Sequence, residues 1–243
     1  MRVLIASKNT NMRKTVAELL LEKIQQVEAT SSVAEAVEKV SWHLPHIIIG
    51  DERMLIQIRE TLRSTLFFNP IHYIAFSEQR GHMSPIVTPL ASRLGRSIAY
   101  LNIPFESSQL LAQVNSTKTV IHMEKLPFRP VFTNVTFDER IMACSRSNPS
   151  WHYLDLELKG FRCFAEHTTE LSVNAMLQVL AINICRVLDD HGTSDDIAGY
   201  IGEGRFGIIS HLGPTTELAS MLQEEGVRQL KSNDIELKVS LLH

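Results

Sequence analysis

Cysteine is scarce and badly spaced for stapling or metal binding. Cys144, Cys163 and Cys185 are the only three, an odd number with no CxxC pair. That sets aside a disulfide framework and a zinc site, and makes a reducing cytoplasm the expected location. Long hydrophobic runs are also lacking. No apolar run approaches the roughly 18 residues of a membrane span, and the short one in MRVLIASKNT is too brief for a signal peptide. Membrane insertion is not expected. Nor is there an excess of charge of one sign. Lys and Arg number 24 against 27 Asp and Glu, a net charge of -3, so nothing resembles the basic footprint of a nucleic-acid binder. Internal repeats and low-complexity tracts are missing as well. What remains is an ordinary globular composition, 44% apolar and 21% charged, on a length that suits one large domain or two medium ones.

The first hundred residues alternate short β-branched runs with amphipathic stretches. Strands are expected at 3–6, 27–29, 46–50, 71–76 and 97–101. Helices are expected at 11–24, from Ser32 to Val40 with a Ser32/Glu35 capping box, and at 107–114. This order predicts a doubly wound parallel sheet with helices on both faces. Sites in such sheets lie at the carboxyl ends of the strands, which here carry Ser7, Lys8, Asp51, Ser77 and Ile103. NSTKT at 115–119 is taken as a boundary. Beyond it the order changes. A helix is expected at 132–142, broken by Asn148-Pro149, then a strand at 153–158 and a long helix at 173–188. Two strands around GEGR, a helix at 215–230 and a last strand at 235–242 complete the expected order.

The first half, 1–118, resembles the receiver domain of response regulators, a flavodoxin-like fold. Asp51 falls at the phosphoacceptor position, with Met54 three residues on, Ser77 at the Ser/Thr position, Tyr100 at the aromatic switch and NIPF at 102–105 near the Lys-Pro-Phe element. The departures are chemical. Ser7 and Lys8 replace the acidic pair that would hold magnesium, and Ile103 replaces the lysine. We therefore expect a vestigial phosphoacceptor site of Asp51, Lys8 and Ser77. Its Lys8 ammonium either pairs with Asp51 or points to solvent.

The second half, 119–243, resembles an α+β GGDEF domain, the nucleotidyl-cyclase-like fold. LPFR at 126–129 followed by Phe132, LDLELKGF at 154–161 and GEGRF at 202–206 carry the likeness. The resemblance implies a metal carboxylate at Glu157. Gly204 and Arg205, beside Gly202, stand where the family has acids. Ala165 and Asn174 replace residues that would read guanine, with Val173, Thr169 and Glu170 as further departures. An amide cannot accept both guanine N–H groups as a carboxylate does. Of the family's inhibitory RxxD, Asp196 remains and Thr193 replaces the arginine, so Asp196 either binds weakly there or shapes the turn. VSLL at 239–242 matches a family strand that a further helix and strand usually follow, and a sheet face left open would need a cover.

These residues imply a non-catalytic signalling scaffold in cyclic-di-GMP or two-component circuitry. It would need no metal or cofactor, and its partners would be other signalling proteins or a second copy in a homodimer. The rival is a nucleotide sensor that binds GTP or cyclic-di-GMP without turnover, and a third reading is a cyclase with relocated ligands. His43 and His46 form no convincing metal pair, flanked as they are by no ligand cluster. Residues 194–196 suit a solvated turn. Arg162, Arg186 and Arg205 form a weak candidate anion site, and Trp42 and Trp151 are expected to be partly buried.

Overall fold

The computed structural model describes residues 1–42, 44–77, 99–124, 129–147, 151–211, 216–230 and 235–242. His43, Ser97, residues 126–128 and the Asn148-Pro149 break lie outside them. The chain divides into two compact units, 1–63 with 70–126, and 64–69 with 127–243.

The first unit runs β1 (Arg2–Ala6), α1 (Thr10–Leu21), β2 (Gln26–Thr30), α2 (Val33–Trp42), β3 (Ile47–Asp51) and α3 (Glu52–Arg63). Strand β4 (Leu66–Phe68) follows in sequence but belongs to the second unit. The first unit resumes with β5 (His72–Ser77), β6 (Ala99–Asn102) and α4 (Ser107–Glu124). Its five strands pair in parallel in the order β2-β1-β3-β5-β6. Counted within the unit, that is 2-1-3-4-5, the flavodoxin-like doubly wound order. The apolar runs are continuous because both sheet faces are covered. Val3, Ile5, Ile47, Ile49, Ile74 and Phe76 bury with Val16, Leu20, Leu110 and Val114 from α1 and α4. The alternate residues Leu4 and Ile48 are equally buried, and α2 and α3 pack against the sheet.

Helix α4 corrects the expected boundary. NSTKT does not interrupt it, and residue 118 lies inside one continuous helix. Thr117 and Thr119 each donate to the carbonyl four residues back, Gln113 and Asn115, at 2.9 and 3.0 Å. That back-bonding lets two poor helix formers sit within a helix.

The second unit continues with β7 (Val131–Thr133), α5 (Asn134–Ser147), β8 (His152–Lys159), α6 (Phe161–His167), α7 (Glu170–His191), β9 (Ile197–Gly202), β10 (Arg205–Ser210), α8 (Thr216–Leu230) and β11 (Glu236–Leu242). Its sheet order is β11-β8-β10-β9-β7-β4. The first four of these strands are antiparallel and, counted from β8, run 4-1-3-2 with helices after the first and third, a β-α-β-β-α-β ferredoxin-like core. The helix expected from Phe132 begins later. Val131–Thr133 is β-prone and extends to pair with β9 and β4, and Asn134 then opens the helix, its Oδ1 accepting from Val135 N at 2.9 Å.

Leu154, Leu156 and Leu158 of β8 point to one face and bury against Leu177, Leu180, Ile184 and Leu188 of α7 and Leu218 and Leu222 of α8. On the opposite face Phe137 of α5 is fully buried over two glycines. A Cβ on Gly199 would lie 2.2 Å from its ring, and one on Gly207 2.5 Å. Only hydrogen side chains admit the ring so close. The sheet face beyond it, along β8 and β11, is charged rather than apolar, with Asp155, Glu157 and Lys159 beside Ser240, Lys238 and Glu236. Helix α7 is long and apolar enough to cross a membrane by length and composition, and half of that stretch is buried inside the unit.

Candidate functional site

The carboxyl ends of β1, β3 and β5 bring Ser7, Asp51 and Ser77 together, as the parallel register requires. Asp51 is satisfied from its own unit. The fully buried Ser7 hydroxyl donates to Oδ1 at 2.8 Å, and the Lys8 backbone N–H donates to Oδ2 at 2.7 Å. No ion pair joins the Lys8 ammonium to Asp51 among the described residues, so the expected side-chain pair is replaced by a backbone hydrogen bond. The turn is held further by Asn9, whose N–H donates to Ser7 Oγ at 3.1 Å and whose side chain caps α1. From α1, Arg13 Nη1 donates to the Ser7 carbonyl at 2.5 Å. These residues do not fit a divalent ion. A hydroxyl and an N–H occupy the oxygens that would face it, and an arginine lies beside them.

Next to Asp51, Glu52 Oε1 is buried without a hydrogen-bond partner, and burial raises its carboxyl. The Tyr100 hydroxyl is likewise buried and unpartnered, and burial, with the Glu52 charge second, pushes it up to about 12. Ser77 is nearly buried, and its carbonyl accepts from Ile103 N at 2.7 Å. Arg13 and Glu52 escaped the sequence reading. An arginine one turn into a helix and an acid after a strand carry no motif of their own.

The second candidate site surrounds the hairpin between β9 and β10. Gly202, Glu203 and Gly204 all have positive φ, at 114, 50 and 74°. The glycines supply this conformation at little cost, whereas Glu203 is held in it. Gly204 is fixed on three sides. Its carbonyl accepts from Leu158 N at 3.1 Å, its N–H points to the Tyr200 hydroxyl at 3.4 Å, and Phe161 packs against its Cα.

Arg205 pairs in register with Glu157, as the motif alignment requires. Its guanidinium instead donates to Asp155 Oδ1 at 2.9 Å, one step along the same face, and this partner raises Arg205 further. Glu157 is taken by Lys159 at 2.6 Å. That bond, followed by the fields of Lys159, Lys238 and Arg205, holds its carboxyl below the usual range. Two carboxylates thus share a face with three cations. Magnesium does not fit a site so neutralised, and no group of three or more metal-ligating side chains occurs among the described residues.

Ala165 and Asn174 lie on α6 and in the first turns of α7, where Asn174 is exposed. Thr169 caps α7, accepting from Ser172 N at 3.3 Å. Asp196 shapes its turn. With no side-chain exposure, it accepts from Thr193 N, Thr193 Oγ1 and His211 N at 2.9, 2.8 and 2.9 Å. Buried and held by three donors, its carboxylate works as a turn clamp. The anion site of three arginines does not form. Arg162 pairs with Glu166, Arg205 with Asp155, and Arg186 lines a groove between α7 and α8. His46 is engaged through Nδ1, which accepts from Arg2 N at 3.0 Å.

No protein-family profile matches the chain, and no curated protein does. Solved structures that resemble it are receiver domains and GGDEF-domain proteins. A response regulator receiver modulated diguanylate cyclase from Pelobacter carbinolicus is 21% identical, covering 51% of this chain and 97% of that one, with a TM-score of 0.38. A two component transcriptional regulator from Clostridium phytofermentans is 16% identical over 51% of this chain and 97% of its own, with a TM-score of 0.40. The GGDEF domain of DgcB from Caulobacter crescentus, in complex with c-di-GMP, is 16% identical over 46% of this chain and 69% of its own, with a TM-score of 0.34. The class follows from the strand orders themselves. The chain joins a flavodoxin-like, doubly wound parallel unit to a ferredoxin-like α+β unit.

Proposed function

We propose that this chain is a non-catalytic signalling module that acts through protein contacts, in cyclic-di-GMP or two-component circuitry and in the cytoplasm. The observation that carries the reading is the Arg205–Asp155 ion pair on the hairpin face. Cyclase chemistry places metal ions and two nucleotide triphosphates against carboxylates there, and an arginine beside a Lys-paired Glu157 opposes that arrangement. At the other unit, phosphoryl transfer to Asp51 needs a metal and a cation on the departing face. Ser7 and the Lys8 N–H take the two carboxylate oxygens instead. The folds are kept in both units, and the partners of Asp51, Glu157 and Arg205 support a role without the chemistry.

The test is incubation of the full chain with GTP and magnesium or manganese at high protein concentration, followed by chromatography. No cyclic-di-GMP should form above a control without protein. Turnover abolished by Glu157→Ala would make the protein an unusual cyclase. Saturable GTP binding without turnover would instead favour the nucleotide-sensor reading.

A further inference from the structure

Strand β11 ends the sheet of the second unit, with β8 on one side and no other strand beside it among the described residues. Its neighbour fixes where its backbone groups point. Leu158 of β8 sends its N–H away from β11, to the Gly204 carbonyl at 3.1 Å. Leu237 stands opposite Leu158, and Val239 opposite Leu156. Such pairs in an antiparallel ladder exchange no hydrogen bonds, so their backbone groups point away from each other. Leu237 and Val239 therefore aim theirs at the open edge.

Gln223 of α8 covers that edge with both ends of its amide. Its Nε2 donates to the Leu237 carbonyl at 2.8 Å, and its Oε1 accepts from the Val239 N–H at 3.3 Å. One donor and one acceptor on a planar amide are what the peptide of an adjoining strand would offer here. The side chain thus takes the place of a strand. The edge it guards is seven residues long, keeps an unbroken register with β8 and contains no proline, so it is otherwise suited to strand addition.

The charges along β11 say which strand fits. Glu236 and Lys238 are both exposed and lie on one face. In a two-fold antiparallel pairing centred on Leu237, Leu237 meets its own copy, and each Glu236 stands directly across from a Lys238. Opposite charges so placed favour the pairing, whereas moving the centre by one residue sets Lys238 against itself. A second copy of this chain is the partner that this pattern matches.

We propose that the open edge of β11 is a self-association site held shut by Gln223. When the amide swings away, two copies pair through β11, antiparallel about Leu237, into one continuous sheet. The inference rests on strand geometry alone and stands whether or not either unit is catalytic.

Sedimentation of the full chain over a range of concentrations tests it, with circular dichroism melts to show that each variant is folded. Gln223→Ala should lower the concentration at which the mass doubles by at least about tenfold relative to the native protein. Gln223→Met, which keeps the bulk and the helix propensity without the amide, should do the same and keeps the test decisive if the alanine variant does not fold. Adding Val239→Pro to either variant should abolish the doubling, because proline is tolerated on an edge strand and removes the outward N–H. Adding Glu236→Lys instead should weaken association by about tenfold or more, and a further Lys238→Glu should restore it. The proposal is overturned if neither Gln223 variant associates more tightly than the native protein, if the doubling survives Val239→Pro, or if Glu236→Lys leaves it unchanged.

Discussion

Phe161 lies so close to Gly204 that a Cβ on the glycine would sit 2.4 Å from the ring Cγ and 2.8 Å from the phenylalanine Cβ. These are the near atoms of the side chain, so a rotamer change does not relieve the overlap. The backbone at Gly204 also has φ of 74°, which side chains rarely adopt. The position is closed to an acid both sterically and conformationally. Restoring the family acids with Gly204→Asp and Arg205→Glu should therefore lower stability by on the order of 2–4 kcal/mol and still yield no cyclic-di-GMP. Urea unfolding with a GTP turnover assay checks both halves of this expectation.

At Asp51 the burden falls on Ser7 and a backbone N–H. Ser7→Ala should cost about 1–2 kcal/mol, because a half-buried carboxylate oxygen loses its donor. Lys8→Met should change stability by no more than about 0.5 kcal/mol, since the Lys8 contact is made by its main chain. Equal losses from the two would show that the ammonium matters after all. Intact-mass measurement after acetyl phosphate and magnesium should find no adduct of roughly 80 Da, one phosphoryl group.

His46 gives the first unit a pH dependence. Burial, then the N-terminal ammonium and Arg2, pushes its imidazole down from 6.5 to about 4. The unfolded chain therefore takes up the proton first. Stability is fully present above pH 6.5 and falls as pH drops toward about 4. The loss should be on the order of 1–2 kcal/mol, less than the full shift implies, because the ring is only half-buried and solvent screens it. Denaturant melts across that range should show the decline in the native protein and a flatter profile in His46→Asn.

The ring of Phe137 and the glycines beneath it make a coupled set. Phe137→Ala should cost about 3–5 kcal/mol from the cavity it leaves. Gly199→Ala should cost about 1–3 kcal/mol from overpacking. The pair should cost less than the sum of the two, since removing the ring makes room for the new methyl group. Strict additivity in a double-mutant cycle would mean that the ring and the glycine do not compete for the same space.

The strands and helices that carry strong periodicity were legible in the sequence. HIIIG is β3, the two runs around GEGR are β9 and β10, and the long amphipathic stretch is α7 with three residues added at each end. Three-residue elements were not. Leu66–Phe68 and Val131–Thr133 are too short to show a period, and nothing in them says which sheet they join. Polar composition misled at NSTKT, where threonines fold their hydroxyls back onto the helix. For the sites, the replacements at Ser7, Gly204 and Arg205 were visible as letters. Their consequences were not, because Lys8 contributes its backbone and Arg205 reaches past Glu157 to Asp155. Phe161 at Gly204 and Gln223 at the edge of β11 are matters of packing, which a linear pattern does not encode.

Strand β4 has a consequence for how the chain comes off the ribosome. It is made early, yet its sheet neighbour β7 follows much later. The Thr133 hydroxyl reaches back 69 residues to the Ser64 carbonyl, and Gln178 Nε2, 111 residues on, donates to Phe67 O. Residues 70–126, which complete the first unit, are synthesised in between. The second unit is thus discontinuous in sequence, and its edge closes only after a long loop has been paid for in entropy. A piece beginning at residue 127 lacks that strand and leaves the ring of Tyr200, stacked at 4.2 Å on Phe67, without its cover.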